Sequence, residues 1–394
     1  MCGKAFGTDW GKFVCDVCGI DGILDATYDY ASIRAALPGG QAFPCSGRAD
    51  LWRFAPLLPM RPALPHSAWS LGDTPLSVPV RLGEKLGLPG LLLKDDTGLP
   101  SASLKDRATA MAIADCARLG VAHLAAASTG NAAASLAVLA ARAGFETTIY
   151  VPASAPAAKL AQLEMHGALV IRVDGTYDDA FERSLQEIAT HEWYTRNCAQ
   201  NPLLVEGKKT VALEIVQALD GRAPDAVFVP TGDGCIVSSV CKGFAEMAEI
   251  GRLDRIPAVF GVQAAGAAPL ANAWETAGPK AVGYTPAEAL AAIKPVTPDT
   301  LADSIGVGIP RNRLKAWTRV AHTGGGFVSV DDDEIVAAIR LLARFAGVWA
   351  EPSGAAGLAG LIKAAHTGLV GAQDQVVVLV TGHGLKDPLA GLDR

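Results

Sequence analysis

Short, largely apolar runs separated by helical stretches set the terms for what this chain can fold into. They are LLLKDD (91–96), AHLAAAS (122–128), TTIYVP (147–152), LVIRV (169–173), AVFVP (226–230), AVFGVQA (258–264) and VVVLVTG (376–382). A strand without a polar side cannot show a face to water, so it must be covered on both faces, as in a parallel sheet between helices. The intervening segments supply the cover: their spacing predicts helices over 103–120, 131–144, 157–168 and about 177–191. The expectation is an α/β protein with parallel sheets.

With 394 residues, 50% hydrophobic and only 19% charged, the chain can bury a large core and divide into about two domains. Its net charge of −6, with no basic block, excludes the electrostatics of a nucleic-acid or anionic-membrane partner. The opening MCGKAFGTDWGKF has no apolar signal-peptide core, and the long apolar stretch around 121–144 is interrupted by STGN, so it is no membrane span. A cytoplasmic protein is expected, with its eight cysteines reduced. Residues 1–62 form a distinct extension. It contains Cys15 and Cys18 and leaves through PLLPMRPALPHS, which reads as a linker or extended arm.

Ligands of such sheets bind beyond the carboxyl ends of strands, which directs attention to four turns. STGNAAAS (128–135) offers Ser128, Thr129, Gly130 and Asn131 at a helix start. Its free N–H groups favour an anion, and the same residues serve equally as a plain cap. PTGDGC (230–235) carries two glycines that let backbone approach a ligand, without matching a P-loop or a dinucleotide fingerprint. VTGHGLKDP (380–388) places Thr381 at a strand end, and His383 is read as a turn residue. The fourth is PSASLKDRAT (100–109), with Lys105 at a helix start. A surface lysine paired with Asp106 is the ordinary reading. A lysine partly desolvated and close to Arg107 is the alternative, and such an amine is a nucleophile.

These turns, with LGDTPL (71–76), TGLPSASLKDRA (97–108), EGKKTVALEI (206–215), GVQAAGAAPL (261–270) and EPSGAAGLAGL (351–361), occur in an order that resembles pyridoxal-phosphate enzymes of the tryptophan synthase β-type fold, and within them the threonine synthase family. The likeness runs from about 69 to 388. It implies two open, twisted, mostly parallel sheets covered by helices. A small domain (107–203) is inserted into a larger one (63–106 and 204–394), with the cofactor, pyridoxal 5′-phosphate, between them. It implies that Lys105 holds the cofactor as an imine and moves protons, and that Asn131 bonds the 3′ oxygen. Gly232, Asp233, Gly234 and Cys235 would cradle the phosphate, and Thr381 would face the pyridine nitrogen. Ser128, Thr129 and Gly130 would grip a substrate carboxylate. A neutral hydroxyl at the ring nitrogen does not enforce its protonation, which suits elimination and replacement rather than transamination. The family also implies a homodimer acting on a small amino-acid substrate.

Departures from the family pattern fall in the substrate region. Where the family has a segment like NSxNPxRxEGQKT, this chain reads RNCAQNPLLVEGKKT (196–210). Asn197 keeps the asparagine, Cys198 or Ala199 stands at the serine, and Leu204 stands at the arginine. Lys208 or Lys209 could supply the missing charge, as a point charge rather than a bidentate fork. PSASLKDR replaces PTGSFKDR. The N-terminal extension is similar to a zinc ribbon, but Cys2, Cys15 and Cys18 leave a tetrahedral site one ligand short. It is read as a degenerate ribbon without metal, with Cys45 a poorly spaced substitute. The reading is a lyase converting O-phospho-L-homoserine and water to L-threonine and phosphate. The alternative is β-elimination or β-replacement on serine, threonine or phosphoserine.

Overall fold

The apolar runs form two sheets in the computed structural model, which describes residues 2–7, 13–37, 50–60, 71–198 and 200–392. The larger sheet has the order β1 (Leu76–Ser77), β2 (Leu91–Asp95), β10 (Val376–Val380), β7 (Ala226–Pro230), β8 (Ala258–Ala264) and β9 (Gly326–Val330). The smaller has the order β5 (Leu169–Val173), β4 (Glu146–Pro152), β3 (His123–Ala127) and β6 (Tyr194–Thr195). All pairings are parallel except β1 with β2.

Period-two alternation sorts the larger sheet into two cores. Val227, Val229, Val377 and Leu379 enter one, with Val237, Val240 and Phe244 of the Cys235–Glu249 helix. Ala226, Phe228, Val376, Val378 and Val380 enter the other, with Ala355, Leu358 and Leu361 of the Pro352–His366 helix. Both faces are dry, which is why β7 and β10 show no polar alternation. The smaller sheet lies beside a third core rich in alanine, including Ala133, Ala137 and Ala140. Gly120 and Gly144 end the two flanking helices in the left-handed conformation (φ +70° and +75°), where a side chain costs energy. Among the described residues no helix is long and apolar enough to cross a membrane.

Three strands lie outside the expected set. β1 and β6 are two residues long, and β9 carries half-exposed Val328 and Ser329, so none has a strong apolar signature. The start of the proline-rich exit is also no free linker. Leu57, Leu58 and Met60 are buried, following Leu51, Trp52 and Phe54. The rest of that segment, and the 62/63 boundary, lie outside the described residues.

One buried charge cluster joins four segments. Arg107, fully buried, donates from Nε and Nη2 to Asp96 (2.8 and 2.9 Å) and from Nη1 and Nη2 to Glu214 (2.6 and 2.8 Å). It also donates to Thr210 and Thr74 hydroxyls. Lys94 donates to Glu214 at 2.6 Å, and Glu214 accepts from the Asp73 N–H at 2.9 Å. Burial would raise the Glu214 carboxyl, but Arg107 and Lys94 hold it well below the usual carboxylate range. A second cluster binds the N-terminal extension to the outer side of the same helix, Leu203–Ala218. Lys242 donates to Asp25 (2.9 Å), the Ala26 carbonyl and Glu206 (both 2.5 Å). Tyr28 donates to Glu206 at 2.6 Å, and Arg319 pairs with Asp25.

Breaking the first cluster by Arg107→Leu leaves buried Asp96 without a cation and Glu214 with Lys94 alone, and is expected to cost about 3–5 kcal/mol, read by denaturant unfolding. The sign of the pH effect follows from Glu214. Its contribution is complete above its unfolded pKa, near ~4.3, and is lost as acid lowers the pH towards the depressed folded value. The acid limb of the wild-type stability curve should therefore flatten in the variant.

Candidate active site

The turn that carries Lys105 is built by its neighbour strand. The Leu104 N–H donates to the Thr381 carbonyl (3.0 Å), the His383 N–H to the Ala102 carbonyl (3.1 Å), and Ser103 pairs with Gly382. Asp106 is not the partner of Lys105; its carboxylate accepts from the Ser101 N–H at 2.7 Å and closes the turn. Ala102 sits at φ +57°, a left-handed position where the resemblance has glycine. Lys105 is thereby placed at the first residue of its helix, facing a cavity with Thr381.

Its amine has no hydrogen-bond partner among the described residues. Burial depresses the Lys105 pKa, and nearby Lys208 and Arg196 depress it further against the pull of Cys198 and Glu351. Arg107 was the expected neighbour in this role, but its guanidinium is consumed by Asp96 and Glu214. The surface-lysine reading fails on geometry, because the amine points into the cavity rather than towards Asp106.

Opposite lie Gly232, Asp233, Gly234 and Cys235, all lining the same cavity. The N–H groups of Gly232, Asp233 and Gly234 donate to no carbonyl among the described residues, and the Cys235–Glu249 helix begins directly behind them. Such an array suits an anion without a metal or lysine. No room exists for larger residues. A Cβ on Gly232 would lie 3.0 Å from Ile305 Cα, and one on Gly234 2.7 Å from Ala316 Cβ. Asp233 turns its carboxylate to the Arg311 N–H (3.1 Å). An unpartnered amine and a glycine cradle on one cavity fit a phosphorylated aldehyde.

The remaining expected residues are placed differently. Asn131, buried at the start of its helix, donates to Glu351 (2.6 Å) and Ser304 (3.3 Å), both on the cavity wall. Ser128, Thr129 and Gly130 form the half-exposed turn before it and are not among the lining residues. The Asn197 amide is used internally: it accepts from the Ala127 N–H (3.0 Å) and donates to Ser184 (3.3 Å). Lys208, 1% exposed, does reach the cavity and donates to Cys198 Sγ at 3.4 Å. Leu204 is fully buried in the core beside the smaller sheet. Arg196, Glu351 and Ser304 were not singled out from sequence. Arg196 adjoins Asn197 in the departing segment, and Glu351 opens a motif quoted for the resemblance without a role.

In the N-terminal extension, Cys2, Cys15 and Cys18 bring their sulfurs within 4.8 Å of one another. Val14 and Ile23 pair around a tight turn that holds Cys15 and Cys18. Cys45 lies outside the described residues.

Comparison with known proteins agrees with the geometry. Residues 70–382 match the family model described as pyridoxal-phosphate dependent enzyme. The chain is 36% identical over 393 residues to a threonine synthase of Methanosarcina acetivorans, covering 100% of this chain and 92% of that protein. It is 35% identical over 392 residues to a threonine synthase of Methanocaldococcus jannaschii, covering 99% and 93%. In fold it is similar to the processed form of threonine deaminase isoform 2 from Solanum lycopersicum, with a TM-score of 0.66 at 23% identity, covering 81% of this chain and 88% of that one. From the two sheets, the buried lysine and these matches, the chain belongs to the pyridoxal-phosphate dependent enzyme family, on its threonine synthase-like branch.

Proposed function

We propose that this enzyme is a lyase that converts O-phospho-L-homoserine and water to L-threonine and phosphate. The observation that carries the reading is the convergence of Lys105, the glycine cradle and the buried cation Lys208 on one cavity, with a second buried cation, Arg196, directly behind the wall at Cys198. Relatives named threonine synthase support the substrate. Leu204 in place of the family's arginine favours the alternative, β-elimination or β-replacement on serine, threonine or phosphoserine. Arg196 and Lys208 answer that objection, because they restore positive charge beside the lysine.

Lys105 would hold pyridoxal 5′-phosphate through its amine, the N–H groups of Gly232, Asp233 and Gly234 its phosphate, Thr381 its ring nitrogen and Asn131 its 3′ oxygen. When bound, the cofactor supplies an electron sink that stabilises negative charge on substrate carbon. Lys105 Nζ, its proton affinity lowered by burial and neighbouring cations, takes the substrate α-proton and then a β-proton. Lys208 and Arg196 receive the γ-phosphate as it leaves. Glu351, pushed up by burial, orients Asn131 through the 2.6 Å bond. Ser128, Thr129 and Gly130 hold the substrate carboxylate at the turn before Asn131, while Asn197 braces the end of β3 behind them.

The same reading divides the chain into an extension (1–62), a large unit (63–106 and 204–394) and an inserted small unit (107–203), with the substrate closing the cleft. It also takes the enzyme to be a cytoplasmic homodimer and its extension to be metal-free.

Lys105→Ala should leave the purified protein colourless and lower turnover by about 10³-fold or more. Gly234→Ala, at φ +83° and against Ala316, should cost about 1–3 kcal/mol and weaken cofactor binding in an absorbance titration. Phosphate release from O-phosphohomoserine, with no keto acid from serine or threonine, is the expected activity. Keto-acid release with no phosphate release would overturn the substrate assignment.

A further inference from the structure

Among the described residues, two buried cations beside Lys105 have no carboxylate partner. Arg196, fully buried, donates to Thr109 Oγ1 (3.1 Å), the Lys105 carbonyl (3.5 Å) and Cys198 Sγ (3.0 Å). Lys208, equally enclosed, donates to the same sulfur. Of the buried cations elsewhere, Arg107, Lys94, Lys209 and Lys242 are each held by an acid, and Lys315 by the Leu24 carbonyl. Burying two positive charges without a counter-charge is costly, and the group both of them touch is a thiol on the cavity wall. Burial alone would raise that thiol, but Lys208, Arg196 and Lys105 pull it down to about 6. The other titratable groups facing it are Cys235, pushed up to about 12 by burial, and Tyr177.

We propose that Cys198 is the resident counter-ion of an anion pocket formed by Arg196 and Lys208, that an anionic substrate group displaces it, and that substrate occupancy and oxidation of this thiol therefore exclude one another. The proposal rests on the reading above only in taking the substrate to be anionic at its leaving group. The oxidant is hydrogen peroxide. The ionised sulfur attacks one peroxide oxygen, an S–O bond forms, the O–O bond breaks, and hydroxide leaves and takes up a proton to become water. Sulfur gives up two electrons and becomes a sulfenic acid. Arg196 and Lys208 keep the sulfur ionised for this step. When a phosphate group takes the two cations, the sulfur reverts to a protonated, unreactive thiol.

The test treats the holoenzyme with hydrogen peroxide and dimedone, in inorganic phosphate or in chloride of matched ionic strength, and locates the adduct by peptide mass. In chloride, Cys198 should be trapped with a half-maximal rate near the pKa of about 6. Saturating phosphate, by returning the thiol to an ordinary value near ~8.5, should slow trapping at about pH 7 roughly thirtyfold. Lys208→Met should raise the midpoint by about one unit or more, and Cys198→Ser should give no adduct at this position. Trapping at Cys198 that is indifferent to phosphate, or confined to Cys2, Cys15 and Cys18, overturns the proposal. If O-phosphohomoserine is still turned over in that case, the counter-ion role alone fails; if phosphate protects but O-phosphohomoserine is not turned over, only the substrate reading fails.

Discussion

The guanidinium of Arg107 is the joint on which the rest of the structure depends. It meets carboxylates from two directions, Asp96 beyond β2 and Glu214 on the Leu203–Ala218 helix, while Lys94 and the backbone of Asp73 complete Glu214. Gly72, at φ +90°, leaves room for this approach, since a Cβ there would lie 2.7 Å from Glu214 Oε1. Arg107 lies two residues after Lys105 on the same helix. Fixing its fork therefore fixes where the nucleophilic amine starts, and the hydrogen bonds to the end of β10 fix what the amine faces. Buried ion pairs of this kind add little net stability compared with apolar packing, but they penalise every arrangement in which a partner is missing.

The Leu203–Ala218 helix turns one sequence into three electrostatic faces. Glu214 meets Arg107, Glu206 and Lys209 meet the outer cluster, and Lys208 enters the cavity. Two of these faces are neutralised by acids. The third is held by a sulfur, so the helix delivers net positive potential to the cavity wall, and that same potential lowers the proton affinity of Lys105.

Much of the layout was legible because it is written locally. An all-apolar strand demands two covered faces, and a glycine turn before a helix offers free N–H groups; both signals lie within ten residues. The turns that carry Lys105, Thr381 and Gly232–Cys235 were picked out that way, and the structure sets them on one cavity. Partners drawn from distant segments were not. Arg107 looked like the neighbour that tunes Lys105, because sequence adjacency hides the opposite directions their side chains take on a helix. Leu204 marked a lost arginine, yet nothing local showed that Arg196, eight positions earlier, would arrive beside the same cavity. Asn197 matched the family pattern, while its amide proved to be spent on Ala127 and Ser184.

The outer cluster has a consequence for how the chain can be cut. Asp25 is the acid shared by Lys242 and Arg319, the Leu24 carbonyl receives Lys315, and Tyr28 caps Glu206. Removing the N-terminal extension would leave Lys315 and Arg319, on the Arg313–His322 helix, without their oxygen partners Leu24 and Asp25, and would leave Lys242 with Glu206 and Glu246 alone. A shortened chain would therefore begin with two of its buried or half-buried cations unanswered, a cost in stability rather than a neutral trim.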